Sequence, residues 1–173
     1  MSDLGSAPLP PLSSADHVRG DGAAPAIIEY ADFECPFCAA LHLRLKGRPL
    51  LTAFRHFPVR SSHPRAWAAA CAAEAAGLQG RFWEMHDSLF ADQGRLEDPH
   101  LWARAAALDL DLERFDSDRR GDAVGEHVRG DFQAGVRAGV VSTPTLFADD
   151  QMYTGRIDPA VLDALARGEE PAS

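Results

Sequence analysis

Ala26-Ile27-Ile28-Glu29-Tyr30-Ala31-Asp32-Phe33-Glu34-Cys35-Pro36-Phe37-Cys38 is the stretch on which the reading of this chain turns. Its first six residues form a short apolar run, partly β-branched and bounded by turn residues, which predicts a buried strand. Glu29 is the anomaly in that run, a carboxylate where an apolar residue belongs. Pro36 suits the first turn of a helix, where its missing N–H costs nothing. The helix is expected to continue through Ala39, Ala40, Leu41, Leu43 and Leu45 and to stop near Gly47-Arg48-Pro49. The two cysteines therefore stand at a strand-to-helix junction.

Working outward, Leu50 to Phe57 reads as a second strand closed by Pro58. From Pro64 to about Gly139 the pattern turns helical. It holds an Ala-rich segment over Arg65–Gly77, apolar periodicity over Arg81–Phe90, a helix over Leu101–Leu108 and a short one around Leu112–Phe115. A longer helix over Val124–Ala138 carries Val128, Phe132 and Val136 four apart, on one expected face. Thr145–Ala148 and Met152–Thr154 then flank the turn Asp149-Asp150 as a hairpin. Asp158-Pro159 opens a closing helix with Val161, Leu162 and Leu165 inward. The order is β–α–β, a helical block, then β–β–α. This predicts an α/β fold with a core over 25–58 and 140–168, an inserted helical domain over 59–139 and a flexible N-terminal arm over 1–24, ordered only near His17–Gly20.

C-x-x-C is compatible with a disulfide or with half of a zinc site. A closed structural zinc site needs two more ligands, and the chain has neither a second C-x-x-C nor an H-x₃₋₅-H pair. No metal ligand set is assigned, and the redox reading is preferred. It has a mechanism. A cysteine at a helix N-terminus meets unpaired N–H groups and the positive end of the helix dipole, and both favour the thiolate. Cys35 is expected to be that exposed, acidic nucleophile. Cys38, one turn in, is expected to be the more buried resolving thiol, attacking the mixed disulfide formed on Cys35. Glu34 would oppose thiolate formation if it lay close to Cys35.

The segment 27–38, Arg55-His56-Phe57-Pro58, Phe82-Trp83-Glu84-Met85-His86-Asp87 and Ser142-Thr143-Pro144-Thr145-Leu146-Phe147 together resemble the thioredoxin superfamily. The closer likeness is to its DsbA-like thiol–disulfide oxidoreductases, over about residues 16–166. The resemblance implies a thioredoxin-like fold with an inserted helical domain and a cis bond between Thr143 and Pro144. It implies that Pro144 packs beside the cysteines and that Thr143 offers backbone groups to an extended peptide, with Pro36 and Phe37 on the same binding surface. It also implies a proton-transfer role towards Cys38 for Glu29, whose burial would raise its pKa. Protein thiols or disulfides and a redox partner are the implied partners, with the cysteine pair as the only redox cofactor. One departure is that the segment between Cys38 and Arg55 is shorter than the resemblance leads one to expect, by roughly two helical turns.

The remaining observations bound this reading. With 46% hydrophobic and 25% charged residues the chain can form a packed core of one domain, or one domain with an insertion. A net charge of -9 argues against a nucleic-acid partner, which would want a basic patch. Three cysteines make a poor disulfide framework. No stretch approaches a membrane span. Met1–Leu12 shows no basic segment leading into an apolar run, so a cytoplasmic location is expected, or an extracytoplasmic one if the chain is a mature fragment. Cys71 reads as a small buried hydrophobe on an Ala-rich helix. His56 and His63 receive no chemical role. The reading from another functional class is a non-catalytic binding or structural protein of thioredoxin fold, with or without a metal at the cysteines.

Overall fold

The computed structural model describes residues 8–171. Strand β1 (His17–Arg19) is followed by β2 (Ala26–Ala31), helix α1 (Pro36–Leu45) and β3 (Leu51–His56). Helices α2 (Ala66–Gly77), α3 (Phe82–Ala91), α4 (Asp98–Ala107), α5 (Leu112–Arg119) and α6 (Asp122–Arg137) come next. β4 (Thr145–Ala148), β5 (Gln151–Thr154) and α7 (Pro159–Ala166) complete the described chain.

One sheet runs in the order β1-β3-β2-β4-β5. β2 lies at its centre, parallel to β3 with Ile28 opposite Ala53, and antiparallel to β4 with Ile28 opposite Phe147. Being covered on both faces, β2 is a continuous apolar run rather than an alternating one. Successive side chains still point to opposite faces. Ile27 packs with Leu41 of α1 and Leu162 and Leu165 of α7, whereas Ile28 and Tyr30 pack with Phe57, Ala138 and Val140. Two-residue alternation puts Glu29 on the Ile27 face, the face that α1 covers. This is the mixed α/β, thioredoxin-like arrangement expected from the sequence, with helices α2 to α6 between β3 and β4.

α2 is buried nearly all round, which its alanines make possible by letting neighbouring helices approach closely. A third cluster joins it to the active-site loop, because Phe33, Cys35, Cys38 and Phe54 share a core with α2, α3 and Phe115 of α5.

Two expectations need correction. Order in the N-terminal arm reaches beyond the expected stretch near His17–Gly20. Positions 1–7 lie outside the described residues, but His17–Arg19 pair antiparallel with β3. The cause is Arg55: its guanidinium is buried in β3, so its donors need partners. Asp16 takes Nε at 2.6 Å, and the Pro10 and Pro11 carbonyls accept at 2.9 and 3.0 Å. The second correction concerns α6. Val128 is buried, but Val136 is 52% exposed. A row of residues four apart drifts about 40° per step on a 3.6-residue helix, so two steps carry it off the buried face. Gly135 is buried there instead, beside Phe57 and Tyr30.

Candidate active site

Cys35 is the N-cap of α1, with extended backbone and Pro36 at the first helical position. The Asp32 side chain, wholly inside the protein, shapes the approach to it. Its Oδ1 accepts from the Glu34 N–H at 2.8 Å, a turn that Asp forms readily. Its Oδ2 accepts from the Val59 N–H and meets His63 Nδ1, each at 2.8 Å. Gln93, in the loop after α3, donates through Nε2 to the carbonyls of Phe33 and Cys35, both at 2.8 Å. The loop bearing the nucleophile is thus pinned from β2, from the end of β3 and from the helical block.

Both cysteines of the motif are present as thiols. The hydrogen bond from the Cys38 thiol is the largest influence on Cys35 and lowers its pKa; burial works the other way. The Thr143 side chain and the backbone N–H groups of Cys38 and Phe37 add to the lowering, and the result is about 6. Cys38 is fully buried; burial first, and its pairing with Cys35 second, push its pKa well above the ordinary thiol value. The Asp32 N–H points at Cys38 Sγ at 3.5 Å. Two thiols three residues apart are thereby driven in opposite directions, the pattern that assigns distinct roles to chemically identical groups.

The expected exposure of Cys35 is not observed: the residue is 3% exposed. Its sulfur lies 3.4 Å from the Thr143 carbonyl oxygen, so the segment from the far end of the chain covers it, and Pro36 and Phe37 form the exposed rim. The Thr143–Pro144 bond is cis. The Glu34 carboxylate is engaged by Arg65, accepting from its N and Nε at 2.8 and 2.9 Å, so a guanidinium offsets its charge beside Cys35.

Glu29 is 2% exposed, and its Oε1 has no hydrogen-bond partner among the described residues. Burial raises its pKa to about 8, against a small opposing pull from Arg19. Its charge is felt at Cys38, where it raises the thiol pKa further. A cavity of about 240 Å3, lined in part by Arg19, Glu29, His42, His86 and Asp87, lies on its other side. Cys71 sits apart, packed with Trp67, Val124 and Val128, and burial lifts its pKa to about 11.

The structure therefore brings together Cys35, Cys38, Glu29, Thr143 and Pro144, with Pro36 and Phe37 at the rim. Sequence reasoning missed Asp32, His63, Arg65 and Gln93. Asp32 carried a signal, since an Asp two residues before Glu34 suits a side-chain-to-backbone turn. The other three act across gaps of about thirty to sixty residues and leave no local pattern.

Comparison with known proteins agrees with this architecture. A family model described as thioredoxin matches residues 12–166. The Na(+)/H(+) antiporter NhaA 1 of Mycolicibacterium gilvum is 42% identical over 156 residues, which take in 85% of this chain and 25% of that protein. The Na(+)/H(+) antiporter NhaA 1 of Salinispora arenicola is 43% identical over 160 residues, 86% of this chain and 24% of that protein. The chain thus spans about a quarter of the length of the curated relatives it matches. Among solved structures, a thioredoxin-like oxidoreductase from Silicibacter pomeroyi superposes with a TM-score of 0.81 at 21% identity, covering 90% of this chain and 92% of that one. The thiol-disulfide exchange protein alpha-DsbA2 from Wolbachia pipientis gives a TM-score of 0.80 at 18% identity, covering 90% and 87%. At these identities the structural likeness concerns the fold. With the C-x-x-C pair at its strand-to-helix junction, the chain belongs to the thioredoxin family and has the DsbA-like architecture within it.

Proposed function

We propose that the chain is a protein dithiol–disulfide oxidoreductase, with Cys35 as nucleophile, Cys38 as resolving thiol and no redox group beyond that pair. The observation that carries the reading is the split between the two thiols: Cys35 acidic at about 6 at the N-cap of α1, Cys38 buried and raised.

In the reducing direction, the Cys35 thiolate attacks one sulfur of a substrate disulfide. The substrate S–S bond breaks, a mixed disulfide forms on Cys35, and the departing thiolate takes a proton. The Glu29 carboxylate then accepts the Cys38 proton. A base with a pKa near 8 is matched to work near neutral pH. The Cys38 thiolate attacks Cys35 Sγ and expels the second substrate thiol. The substrate disulfide has gained two electrons and two protons, and Cys35–Cys38 is oxidised. The oxidising direction is the reverse. An extended substrate peptide would lie over Pro36, Phe37 and Pro144 and pair with backbone groups of Thr143, whose carbonyl already faces the reacting sulfur.

Membrane transport is not part of this assignment. Among the described residues no helix is long and apolar enough to cross a membrane, and the identity to antiporters involves only a quarter of their length. The test is the reduction potential of the pair, measured by equilibration with glutathione buffers and thiol trapping, with Cys35→Ser as control. A reversible two-electron couple that disappears in the variant supports the reading. Its value against the glutathione poise assigns the direction. A pair that forms no disulfide, or that retains stoichiometric zinc, transfers the case to a binding or structural role.

A further inference from the structure

A second group of chemically competent side chains lies away from the cysteines, where β1, α2 and α6 meet. Glu74 of α2 is buried, and its Oε1 is 2.7 Å from His17 Nε2 of β1 and 3.6 Å from His127 Nε2 of α6. The potential ligand atoms of these three residues all lie within 4.8 Å of one another. His56 Nε2 meets the same Glu74 oxygen at 2.7 Å. Asp131 lies beyond, 3.7 Å from His127 Nε2 and accepting from the His56 backbone N–H at 3.0 Å.

We propose that His17, Glu74 and His127 form a binding site for a transition-metal divalent cation of the zinc class. The donor set is right: two imidazole nitrogens and a carboxylate oxygen suit zinc, with a fourth position left for water or for Asp131. The charge balance points the same way. Two largely buried carboxylates face three imidazoles, and among the described residues neither carboxylate is paired with a Lys or Arg. A divalent cation at this point would therefore meet two carboxylates with no guanidinium or ammonium competing for them. The distances call for side-chain adjustment only. Tetrahedral zinc at 2.0–2.1 Å from each ligand sets neighbouring ligand atoms about 3.3 Å apart, so His17 withdraws from Glu74 by about half an ångström, His127 closes on it by a few tenths, and the two imidazole nitrogens, within 4.8 Å of each other, settle to the same spacing.

The surroundings hold the ligands for this task. The His17 ring is stacked on Phe82 at 3.5 Å with 5° between the planes. Gly77 leaves room for it, since a Cβ there would stand 3.2 Å from His17 Cε1. His56 orients the ligating carboxylate from behind, the usual office of an outer-shell hydrogen bond. His17 and His127 remain partly exposed, which gives the ion a way in. A second cluster, His42, His86 and Asp87, meets the same distance criterion, but Arg19 already holds both Asp87 oxygens at 2.9 Å and supplies the positive charge. Bound zinc would clamp the edge strand β1 to two helices of the inserted block.

The test uses the protein with Cys35 and Cys38 oxidised to the disulfide, or the Cys35→Ser/Cys38→Ser variant if no disulfide forms, so that no thiolate pair competes. Titration with zinc chloride by calorimetry is expected to show one ion per chain, with affinity at least tenfold weaker in both His127→Ala and Glu74→Gln. Thermal melts should rise with zinc in the parent and not in the variants. His127 is on the surface side of the cluster, so its variant decides the matter even if Glu74→Gln fails to fold. No stoichiometric zinc binding, or binding that His127→Ala leaves intact, overturns the proposal.

Discussion

The sulfur of Cys35 and the carbonyl oxygen of Thr143 lie 3.4 Å apart although 108 residues separate them in the chain. The contact joins the strand-to-helix junction at one end of the sequence to the segment entering β4 at the other. It also places on one residue two separate influences on the nucleophile: a backbone oxygen facing the sulfur, and a side chain that favours the thiolate.

The first prediction concerns that thiolate. Iodoacetamide should label one fast-reacting thiol in the reduced protein, with a rate that rises through a midpoint near pH 6. Cys71, pushed to about 11 by burial, should stay unlabelled at neutral pH. Thr143→Val removes the hydroxyl and keeps the shape. A hydrogen bond to a charged group contributes about 1.5–3 kcal/mol, so the midpoint should move up by on the order of one pH unit. A profile centred on the ordinary thiol value in the parent would refute this account of the site.

Glu29→Gln separates kinetic from stability effects. Without a proton acceptor, breakdown of the mixed disulfide should slow, while its formation by Cys35 should keep its pH midpoint. Stop-flow mixing with a model disulfide resolves the two steps. Stability follows from the raised pKa. Below the unfolded value of 4.5 the acid is protonated in both states and exacts no penalty. Between 4.5 and about 8 only the unfolded chain loses its proton, so the contribution favouring the fold drains away as pH rises. Relative to Glu29→Gln, the parent should lose about 3 kcal/mol between pH 4.5 and 7. Urea titrations of both proteins at the two pH values measure it, and equal pH slopes would place Glu29 in contact with water.

Gly135→Ala tests how α6 meets the sheet. A Cβ at that position would stand 2.8 Å from Phe57 Cδ2 and 2.9 Å from Tyr30 Cε1. Both rings are buried, so neither has room to retreat, and overpacking of this kind costs about 1–3 kcal/mol. A lowered melting temperature with an unchanged redox couple is expected. An unchanged melting temperature would mean that α6 rides higher on the sheet.

What could be read in the sequence follows the range of the forces involved. β2, α1 and the two cysteines were legible because strand burial, Pro36 at the helix start and the helical spacing act within a few residues. The odd position of Glu29 was legible for the same reason, as a charge breaking an apolar run. The Thr143–Pro144 segment beside Cys35 came only from resemblance, since nothing local ties residue 143 to residue 35. β1 was legible only as an ordered stretch near His17–Gly20, because its three residues are a strand only by virtue of β3 and of the Asp16–Arg55 pair. The near-complete cover over Cys35 was missed for a related reason: a helix N-cap is exposed by itself, and only the returning chain buries it. The Val128–Phe132–Val136 row shows the opposite failure, a local periodicity extended past the point where the helix still faces the core.

Gln93 offers the sharpest check on that long-range component. Its side-chain amide donates to two carbonyls of the active-site loop, Phe33 and Cys35, at 2.8 Å each. The Cys35 carbonyl has a second partner in the Ala39 N–H at 3.2 Å, the first bond of α1. The Phe33 carbonyl depends more heavily on Gln93. Gln93→Ala should therefore cost about 1–3 kcal/mol, the penalty of leaving a buried acceptor unpaired. Gln93→Glu should cost more, because a carboxylate brought against two carbonyl oxygens donates nothing and repels both. The order Gln, Ala, Glu in decreasing stability distinguishes a hydrogen-bonded clamp from mere filling of space, for which the nearly isosteric Glu would be the milder change. The loop's looseness should also appear in the chemistry, as a broader and upward-shifted alkylation profile for Cys35, since the N–H groups that favour the thiolate are held in place by the same turn. Stability in the order Gln, Glu, Ala, with the alkylation profile unmoved, would show that the loop is held by Asp32 and its partners alone.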